Sequence, residues 1–372
     1  MSRRFILFGV VLVVGALLGG GAFAWWSVSG STPTTTLPLA LPSTTSTTST
    51  TTSTTTTTLP PTTTTTLPPK GSLLIHGTGD VAVDPDYIPV FRREGWDHAW
   101  SGLEGMFVAD DLTVINLECT PSDLGSPLPK AFNFRCPTES LPSIRANGVE
   151  VANLANNHSG DFGQEALLDG RAQLIAAGIA PVGVGKDYDE AGEAAFFEIN
   201  GWKVAVLGFG GVVPNSGWLA TADMPGMRSG DDTEGMVAAV RAAKDAGADV
   251  VVVSIHWGRE LDTTPRADDI ANAKAMIEAG ANIIFGHHQH RLGPMEIVDG
   301  AAVFWGLGNF VWPHNSTASA TTAVARVVVN PDGTLEACMI PAFIATHGRP
   351  VLTEDPSCGV TAPPADLPGV ED

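Results

Sequence analysis

From Gly71 onward the chain alternates short runs of β-branched residues with Ala-rich stretches. The runs that predict buried strands are residues 73–75, 112–115, 149–154, 203–208, 249–255, 282–285 and 302–305. The stretches that predict helices are residues 138–146, 164–177, 233–246 and 267–279. Three of these helices end at an Ala-Gly pair, with Gly178, Gly247 and Gly280 in the place of a left-handed cap. This order predicts a layered α/β domain with a largely parallel sheet.

Two features predict where the folded domain ends. Residues 322–340 predict a β-hairpin, because an Asn-Pro-Asp-Gly turn sequence at 330–333 separates two apolar runs. The acidic, Pro-rich residues 351–372 predict a frayed tail. We therefore expect one folded domain over residues 71–350.

The N-terminal segment combines two positive charges with a long apolar run. Arg3 and Arg4 precede residues 5–26, which carry no charge. A helix needs about 20 apolar residues to cross a bilayer, and basic residues remain on the cytoplasmic side. Residues 1–30 therefore predict a single-pass anchor in the cell membrane that places the rest of the chain outside. The alternative is a secretory signal that is cleaved near Ala24.

Residues 31–70 consist almost entirely of Thr, Ser and Pro. Such a segment has too little apolar surface to fold, and its prolines favour an extended chain. It predicts a disordered stalk between the membrane and the folded domain, with a composition that also suits O-glycosylation.

The charge balance excludes one large class of partner. The chain carries 40 acidic and 20 basic residues, and every acidic residue lies after position 70. An acidic surface without a basic stripe repels phosphate backbones, so we expect no nucleic acid as a partner.

The four cysteines all follow the predicted stalk. An even number in an oxidising compartment predicts two disulfides, and closeness in sequence favours Cys119 with Cys136 and Cys338 with Cys358. Buried free thiols are the alternative, since free cysteine is among the most buried residue types. No Cys-x-x-Cys spacing occurs, which argues against a cysteine zinc site.

Polar side chains of unusual chemistry gather at the carboxyl ends of the predicted strands. They are Asp80, Glu118, Asn157, His158, Asp161, His256, His287, His288 and His290. A single histidine at a strand end is more often structural, and a single acid there is usually a helix cap. In open α/β sheets, however, ligands bind at this edge, so the whole set predicts one site.

Carboxylates and imidazoles are ligands that Mn, Zn and Fe accept. Two carboxylates and several histidines exceed one tetrahedral shell, which predicts two divalent ions about 3.5–4 Å apart, bridged by a carboxylate and a water. Such a centre activates water at neutral pH and stabilises charge on an attacked phosphorus or carbonyl carbon.

Six motifs in order identify a family. They are GDVAV, NLEC, NLANNHSGDFG, VVVSIHWGREL, IIFGHHQHRLGPMEI and FWGLGNFVW. Over about residues 72–312 this set resembles the bacterial poly-gamma-glutamate capsule-biosynthesis CapA family, a branch of the calcineurin-like metallophosphoesterases. The resemblance implies an α/β fold, the four-layer αββα sandwich of the calcineurin-like metallophosphoesterase fold, with a two-metal centre.

The resemblance also implies roles for particular residues. It assigns metal ligation to Asp80, Glu118, Asn157, His256, His288 and His290. Glu118 resembles the bridging carboxylate, and His158 resembles the histidine that protonates or polarises at the attacked centre. Beside these roles, Asp161 is a candidate supporting carboxylate, with a solvated loop charge as the alternative. His287 is a second candidate for the ligand role of His288.

Three positions depart from the usual metallophosphoesterase pattern. The first motif lacks the histidine of Asp-x-His, because Ala82 stands in its place. Glu118 occupies a position where those enzymes have Asp. The consecutive His287 and His288 give two candidates for one ligand, and His287 is then a residue behind the ligands.

The functional expectation follows from these observations together. The predicted mechanism is metal-dependent hydrolysis of a phosphoester or an amide, assisted by His158. The resemblance implies a role in making, exporting or attaching an anionic polymer such as poly-gamma-glutamate, with that polymer or membrane synthase subunits as partners. The alternative, favoured by the missing histidine, is a non-catalytic membrane scaffold or polymer-binding subunit. A cell-wall phosphodiesterase unrelated to any capsule is a third candidate.

Overall fold

The computed structural model describes residues 69–353. The predicted anchor in residues 1–30, nearly all of the predicted stalk and residues 354–372 lie outside this range. Within it, the helices are all too short or too polar to cross a lipid bilayer.

The described chain forms sixteen strands. The first eight are β1 Leu73–Val81, β2 Leu112–Leu117, β3 Val151–Asn153, β4 Ala180–Val182, β5 Val184–Gly185, β6 Ala195–Ile199, β7 Trp202–Gly210 and β8 Gly226–Met227. The others are β9 Val250–His256, β10 Ile283–His287, β11 Met295–Val298, β12 Ala301–Phe304, β13 Asn309–Val311, β14 Thr321–Val329, β15 Leu335–Thr346 and β16 Arg349–Leu352.

Three α-helices of thirteen residues accompany the strands, together with shorter helical turns. The α-helices are α1 Phe91–Glu94, α2 Leu141–Ala146, α3 Gln164–Ala176, α4 Tyr188–Ala191, α5 Thr233–Asp245, α6 Ala267–Ala279 and α7 Thr317–Ala320. The 3-10 turns are Trp96–Ala99, Met106–Val108, Thr138–Ser140 and Ser216–Trp218. The helix α6 ends at Gly280, whose φ of 118° is the left-handed conformation that the sequence predicted.

The strands build two large sheets. The larger sheet has the order β16-β15-β14-β1-β2-β3-β4, with β13 also paired to β1. The smaller has the order β11-β12-β10-β9-β7-β6, and β5 and β8 form a separate ribbon. Neighbouring central strands are parallel, as in the pairs β1 with β2 and β9 with β10. Antiparallel strands flank them, including the predicted hairpin of β14 and β15.

The two sheets pack face to face, with helices on their outer faces. Side chains from both sheets, such as Ile75 and Val206, share one apolar core. The residues of α2 and α3 pack on the outer face of the larger sheet, and those of α5 and α6 on the outer face of the smaller. The expected four-layer αββα sandwich is confirmed, and both central sheets are covered on each face, as parallel strands require.

The run of β9 illustrates why the sequence forms this core. All seven of its residues, Val250–His256, are buried. A continuous β-branched run is the pattern of a strand that is covered on both faces. The polar residue that ends it, His256, therefore lies at the sheet edge without contact with bulk solvent.

One of the two predicted disulfides lies wholly within the described residues. Cys119 and Cys136 are bonded and close a loop that lies after β2. Cys338 is also disulfide-bonded, and its predicted partner, Cys358, lies outside the described residues.

Candidate metal centre

The predicted polar residues meet where the two sheets present their strand ends. The larger sheet supplies Asp80 from β1, Glu118 just after β2 and Asn157 after β3. The smaller sheet supplies His256 at the end of β9, and His288 and His290 just after β10. The site therefore lies between the sheets, and each sheet contributes half of the predicted ligand set.

Two groups of ligand atoms are close enough to hold a cation each. Asp80, Glu118 and His290 form one group, and Glu118, His256 and His288 form the other, with the ligand atoms of each group within 4.8 Å of one another. Glu118 belongs to both groups. A carboxylate shared in this way can bridge two ions.

The donor atoms fit a cation by chemistry and by spacing. Within residues 69–353 neither carboxylate oxygen of Glu118 has a hydrogen-bond partner, although the side chain is fully buried. An unpaired buried carboxylate is costly unless a cation compensates it. Glu118 Oε1 lies 3.6 Å from Nε2 of His256 and 4.0 Å from Nε2 of His290. Ligands about 2.0–2.2 Å from one ion have separations of about this size.

The electrostatics of the metal-free site agree with this interpretation. Burial and the negative charge of Asp80 raise the pKa of Glu118 well above its ordinary value. Burial lowers the pKa of His288 to about 4, and burial together with the neighbouring histidines lowers that of His256 well below its usual range. Both imidazoles are therefore neutral at pH 7, which is the form that binds metals.

Asp80 and His290 form a tightly coupled pair, with His290 Nδ1 3.1 Å from Asp80 Oδ2. Burial opposes charge on both groups. The hydrogen bond and charge of His290 nevertheless lower the pKa of Asp80, and those of Asp80 raise the pKa of His290. Without a cation, this imidazole partly supplies the positive charge that the buried carboxylates need.

His288 and His290 both adopt positive φ angles, of 91° and 52°. Non-glycine residues rarely occupy this region, and strained backbone of this kind concentrates at functional sites. The strain bends the chain directly after β10, so that both imidazoles reach the strand-end carboxylates.

His287 lies apart from both groups, although the sequence named it as a candidate ligand. Its Nδ1 is 3.8 Å from Asp80 Oδ1, while its Nε2 is 2.9 Å from the hydroxyl of Ser254. Burial lowers its pKa to about 4. Of the two consecutive histidines, the structure brings His288 to the ligand atoms and leaves His287 behind Asp80.

Asn157 contacts the ligand group of Glu118, His256 and His288 through a hydrogen bond with His256. Its Oδ1 accepts a hydrogen bond from Nε2 of His256 at 2.8 Å. On the other side of the ring, Asn116 Nδ2 lies 3.1 Å from His256 Nδ1 and donates to Asp80 Oδ1 at 2.9 Å. Sequence reasoning missed Asn116, although its position two residues before Glu118 at the same strand end was a usable signal.

The first motif offers no histidine beside Asp80. The residue two positions on is Ala82, which is 3% exposed and packs in the apolar core of the larger sheet. Among the described residues, the ligand group around Asp80 accordingly takes its imidazole from His290.

His158 belongs to a hydrogen-bonded chain beside the ligand groups. Its Nδ1 donates to Asp161 Oδ2 at 2.7 Å, and the same carboxylate accepts from the backbone N–H of Phe134 at 2.8 Å and pairs with Lys130. Burial lowers the pKa of His158, against the opposing effect of Asp161. The imidazole is therefore neutral at pH 7, with its proton on Nδ1 and a free lone pair on Nε2.

Lys130 and Arg135 are basic residues close to the second motif, and both are occupied by the protein itself. Lys130 donates to the carbonyl of Asn157 at 2.5 Å as well as pairing with Asp161. Arg135 donates to the carbonyl of Ser122 at 2.6 Å and lies over the ring of Phe162. Both side chains thus have hydrogen-bond partners within the protein.

Comparison with known proteins gives consistent relatives. Residues 75–314 match a family model described as "Bacterial capsule synthesis protein PGA_cap". The chain is 31% identical over 259 residues to the PGA biosynthesis protein CapA of Bacillus subtilis (strain 168), covering 69% of this chain and 67% of that protein. It is 33% identical over 218 residues to the capsule biosynthesis protein CapA of Bacillus anthracis, covering 58% of this chain and 53% of that protein.

Among solved structures, the calcineurin-like phosphoesterase YfkN from Bacillus subtilis is similar over 73% of this chain and 91% of that chain, with a TM-score of 0.47 and 18% identity. The chain therefore spans about two thirds of one curated relative and about half of the other.

Proposed function

The chain belongs to the bacterial capsule synthesis protein PGA_cap family, and on that premise we propose that its folded domain is a divalent-metal-dependent hydrolase acting in surface polyglutamate production. The observation that carries this proposal is the buried Glu118 carboxylate. It belongs to both ligand groups and lacks a hydrogen-bond partner within the described residues.

The residues that would hold two ions are those of the two groups, with Asn157 beside them. They are Asp80, Glu118 and His290 for one ion, and Glu118, His256, His288 and Asn157 for the other. Mn, Zn and Fe suit this set of oxygen and imidazole nitrogen donors. When bound, such ions acidify a water molecule and stabilise negative charge in the transition state.

The role that we assign to His158 follows from its hydrogen bonds. Hydrolysis adds the oxygen of water to phosphorus or to a carbonyl carbon, and the bond to the leaving oxygen or nitrogen breaks. One proton of the water must then reach the leaving atom. Asp161 holds the proton of His158 on Nδ1, which leaves Nε2 free to accept that proton and to return it.

The cellular role rests on the named relatives. One is a PGA biosynthesis protein and the other is a capsule biosynthesis protein. We propose that this chain acts outside the cytoplasm, attached to the cell membrane through residues 1–30, together with synthase subunits or with the polymer itself. Protease treatment of intact cells tests this placement, since a domain outside the membrane is digested while a cytoplasmic control protein survives.

Metal content tests the catalytic proposal. Purified full-length protein is dialysed exhaustively and analysed by elemental mass spectrometry beside the His288→Ala/His290→Ala double variant and the control Arg241→Ala, which changes an exposed residue of α5. We expect about two equivalents of metal in the wild type and in the control, and loss in the double variant. A wild type that holds no metal, and regains none from added Mn or Zn, contradicts the proposal.

A second candidate function is supported by Ala82. Without a histidine at this position, the protein can act as a non-catalytic scaffold or polymer-binding subunit of the synthesis complex. The double variant separates the two, because a scaffold maintains polymer output when His288 and His290 are replaced and the protein still folds.

A further inference from the structure

A cavity of about 450 Å³ adjoins the metal centre. One part of its wall is formed by His290 and by Asn309, which accepts a hydrogen bond from that imidazole. Arg291, His314 and His347 line other parts of the same wall. The volume is in the range of small-molecule sites, and a group bound there lies next to a proposed metal ligand.

Among the residues that line this cavity, Arg291 alone has a permanent charge, in contrast to the acidic character of the protein. Acidic residues outnumber basic ones by 40 to 20 in the chain. The residues that line the cavity nevertheless include an arginine and three histidines, and no Asp or Glu. A concave wall of this composition creates a locally favourable potential for an anion.

The basic groups have unused hydrogen-bonding capacity. Both ring nitrogens of His314 are buried without a partner in the described part of the chain. Arg291 donates from Nη1 to the carbonyl of His290 at 2.7 Å, and no carboxylate within residues 69–353 forms an ion pair with it. A guanidinium has five N–H donors, so most of those of Arg291 remain available. The ring of His347 lies against that of His314, with centroids 4.9 Å apart.

We propose that this cavity is an oxyanion subsite, in which Arg291 and His314 bind a carboxylate or phosphate of the molecule whose bond is broken at the metal centre. This inference rests on the proposed function and adds the chemical class of the substrate. The planar guanidinium of Arg291 matches a carboxylate with two parallel hydrogen bonds. His314 supplies an N–H donor within the wall. A γ-linked glutamate chain offers one α-carboxylate per residue and satisfies this requirement.

Binding to the full-length protein as purified tests the subsite. The probes are γ-glutamylglutamate and inorganic phosphate, each titrated calorimetrically into the wild type, Arg291→Gln and His314→Asn. The exposed Arg241→Gln on α5 is the matched control, because it removes the same charge away from the cavity. Metal content is measured on every sample.

We expect Arg291→Gln to weaken binding of at least one probe about tenfold or more, since a hydrogen bond to a charged group is lost. His314→Asn is expected to weaken the same probe, and Arg241→Gln to leave it within about twofold. A greater loss of affinity for the dipeptide identifies a carboxylate as the ligand, and a greater loss of affinity for phosphate identifies a phosphoryl group.

Equal affinity in the wild type, Arg291→Gln and His314→Asn overturns the subsite, as does failure of both probes to bind. If Arg291→Gln does not fold, the affinity of His314→Asn for the two probes alone tests the subsite. Metal content separates this result from the parent proposal. If the protein holds metal but its affinity for the probes is unaffected by both substitutions, the hydrolase proposal stands and the subsite is contradicted. If the protein holds no metal but Arg291→Gln weakens probe binding, the subsite stands and the hydrolase proposal is contradicted.

Discussion

Asn309 accepts a hydrogen bond from Nδ1 of His290 at 2.8 Å, and its own amide donates to the carbonyl of Ser319 at 2.8 Å. The second bond fixes which end of the amide faces the ring. In the neutral ring the proton of His290 is therefore held on Nδ1, and the lone pair of Nε2 lies on the side of Glu118, whose Oε1 is 4.0 Å away. Strand pairing makes this arrangement rigid, because Asn309 is the register partner of Asp80 in parallel strands.

Replacing Asn309 with Ala removes the group that orients His290. We expect metal affinity to fall about 10- to 100-fold, which is typical of residues that position a ligand through its second nitrogen. Titration of metal-depleted protein with Zn or Mn measures the change. Asn147→Ala, at the end of α2, is the control and leaves the affinity unchanged.

Replacing Glu118 with Gln should separate metal binding from folding. Burial raises the pKa of Glu118, so an ionised Glu118 destabilises the metal-free fold at neutral pH. We expect the variant to lose metal, yet to melt at the same temperature as EDTA-treated wild type or about 2–4 °C above it. A large drop in the melting temperature of the metal-free variant would show that this carboxylate is mainly structural.

Replacing Asp161 with Asn tests the proposed proton transfer. The neutral carboxamide no longer supplies the negative charge that stabilises a protonated His158, and the ion pair with Lys130 is lost. Hydrolysis of a model phosphodiester should fall about 10²- to 10⁴-fold, the usual contribution of acid–base catalysis. Metal content should remain at the wild-type value, so a parallel loss of metal would instead assign Asp161 to the integrity of the centre.

Reduction of the Cys119–Cys136 disulfide should destabilise the site as well as the fold. The enclosed loop carries Lys130 and Phe134, both of which bond to Asp161. Closing a loop of this length contributes about 3 kcal/mol to stability. The Cys119→Ser/Cys136→Ser variant is expected to melt several degrees lower. A reductant should lower the melting temperature of the wild type by more than that of the variant, because the variant keeps only the disulfide of Cys338.

Acid should destabilise the metal-free protein partly through His314. Burial, and then the neighbouring His347, lower the pKa of His314 in the folded state. Below the ordinary histidine pKa of about 6.5 the unfolded chain therefore binds a proton that the folded chain resists, and stability is lost as pH falls. Urea unfolding in EDTA at pH 7.5 and 5.5 should show a smaller loss for His314→Asn. An identical loss would show that other histidines carry the effect.

Much of the fold was predictable because its signals are local. The β-branched run of β9 is buried along its whole length. The hairpin of β14 and β15 has between its strands an Asn-Pro-Asp-Gly sequence, which favours a turn. The assignment of strands to two separate sheets depends on contacts between residues that are far apart in sequence. Apolar runs of β1 and β9 look alike in sequence, so only the family resemblance predicted the sandwich.

The candidate site was likewise predictable only in part. Strand-end position predicted Asp80, Glu118 and His256, because parallel strands bring their carboxyl ends to one edge. The choice between His287 and His288 depends on the backbone at His288, whose φ of 91° no sequence pattern specified. The role of Lys130 was likewise hidden, since its ion-pair partner Asp161 is 31 residues away in sequence.

The division of ligands between the two sheets has a consequence for how the protein matures. Of the proposed ligands, the larger sheet carries the oxygen donors and the smaller sheet carries the imidazoles, so neither sheet would complete a coordination shell alone. Under the proposed function, metal binding would therefore require that the two sheets have already packed together in the correct register. A cell that restricts metal supply would then regulate the abundance of finished molecules, and not merely their turnover rate.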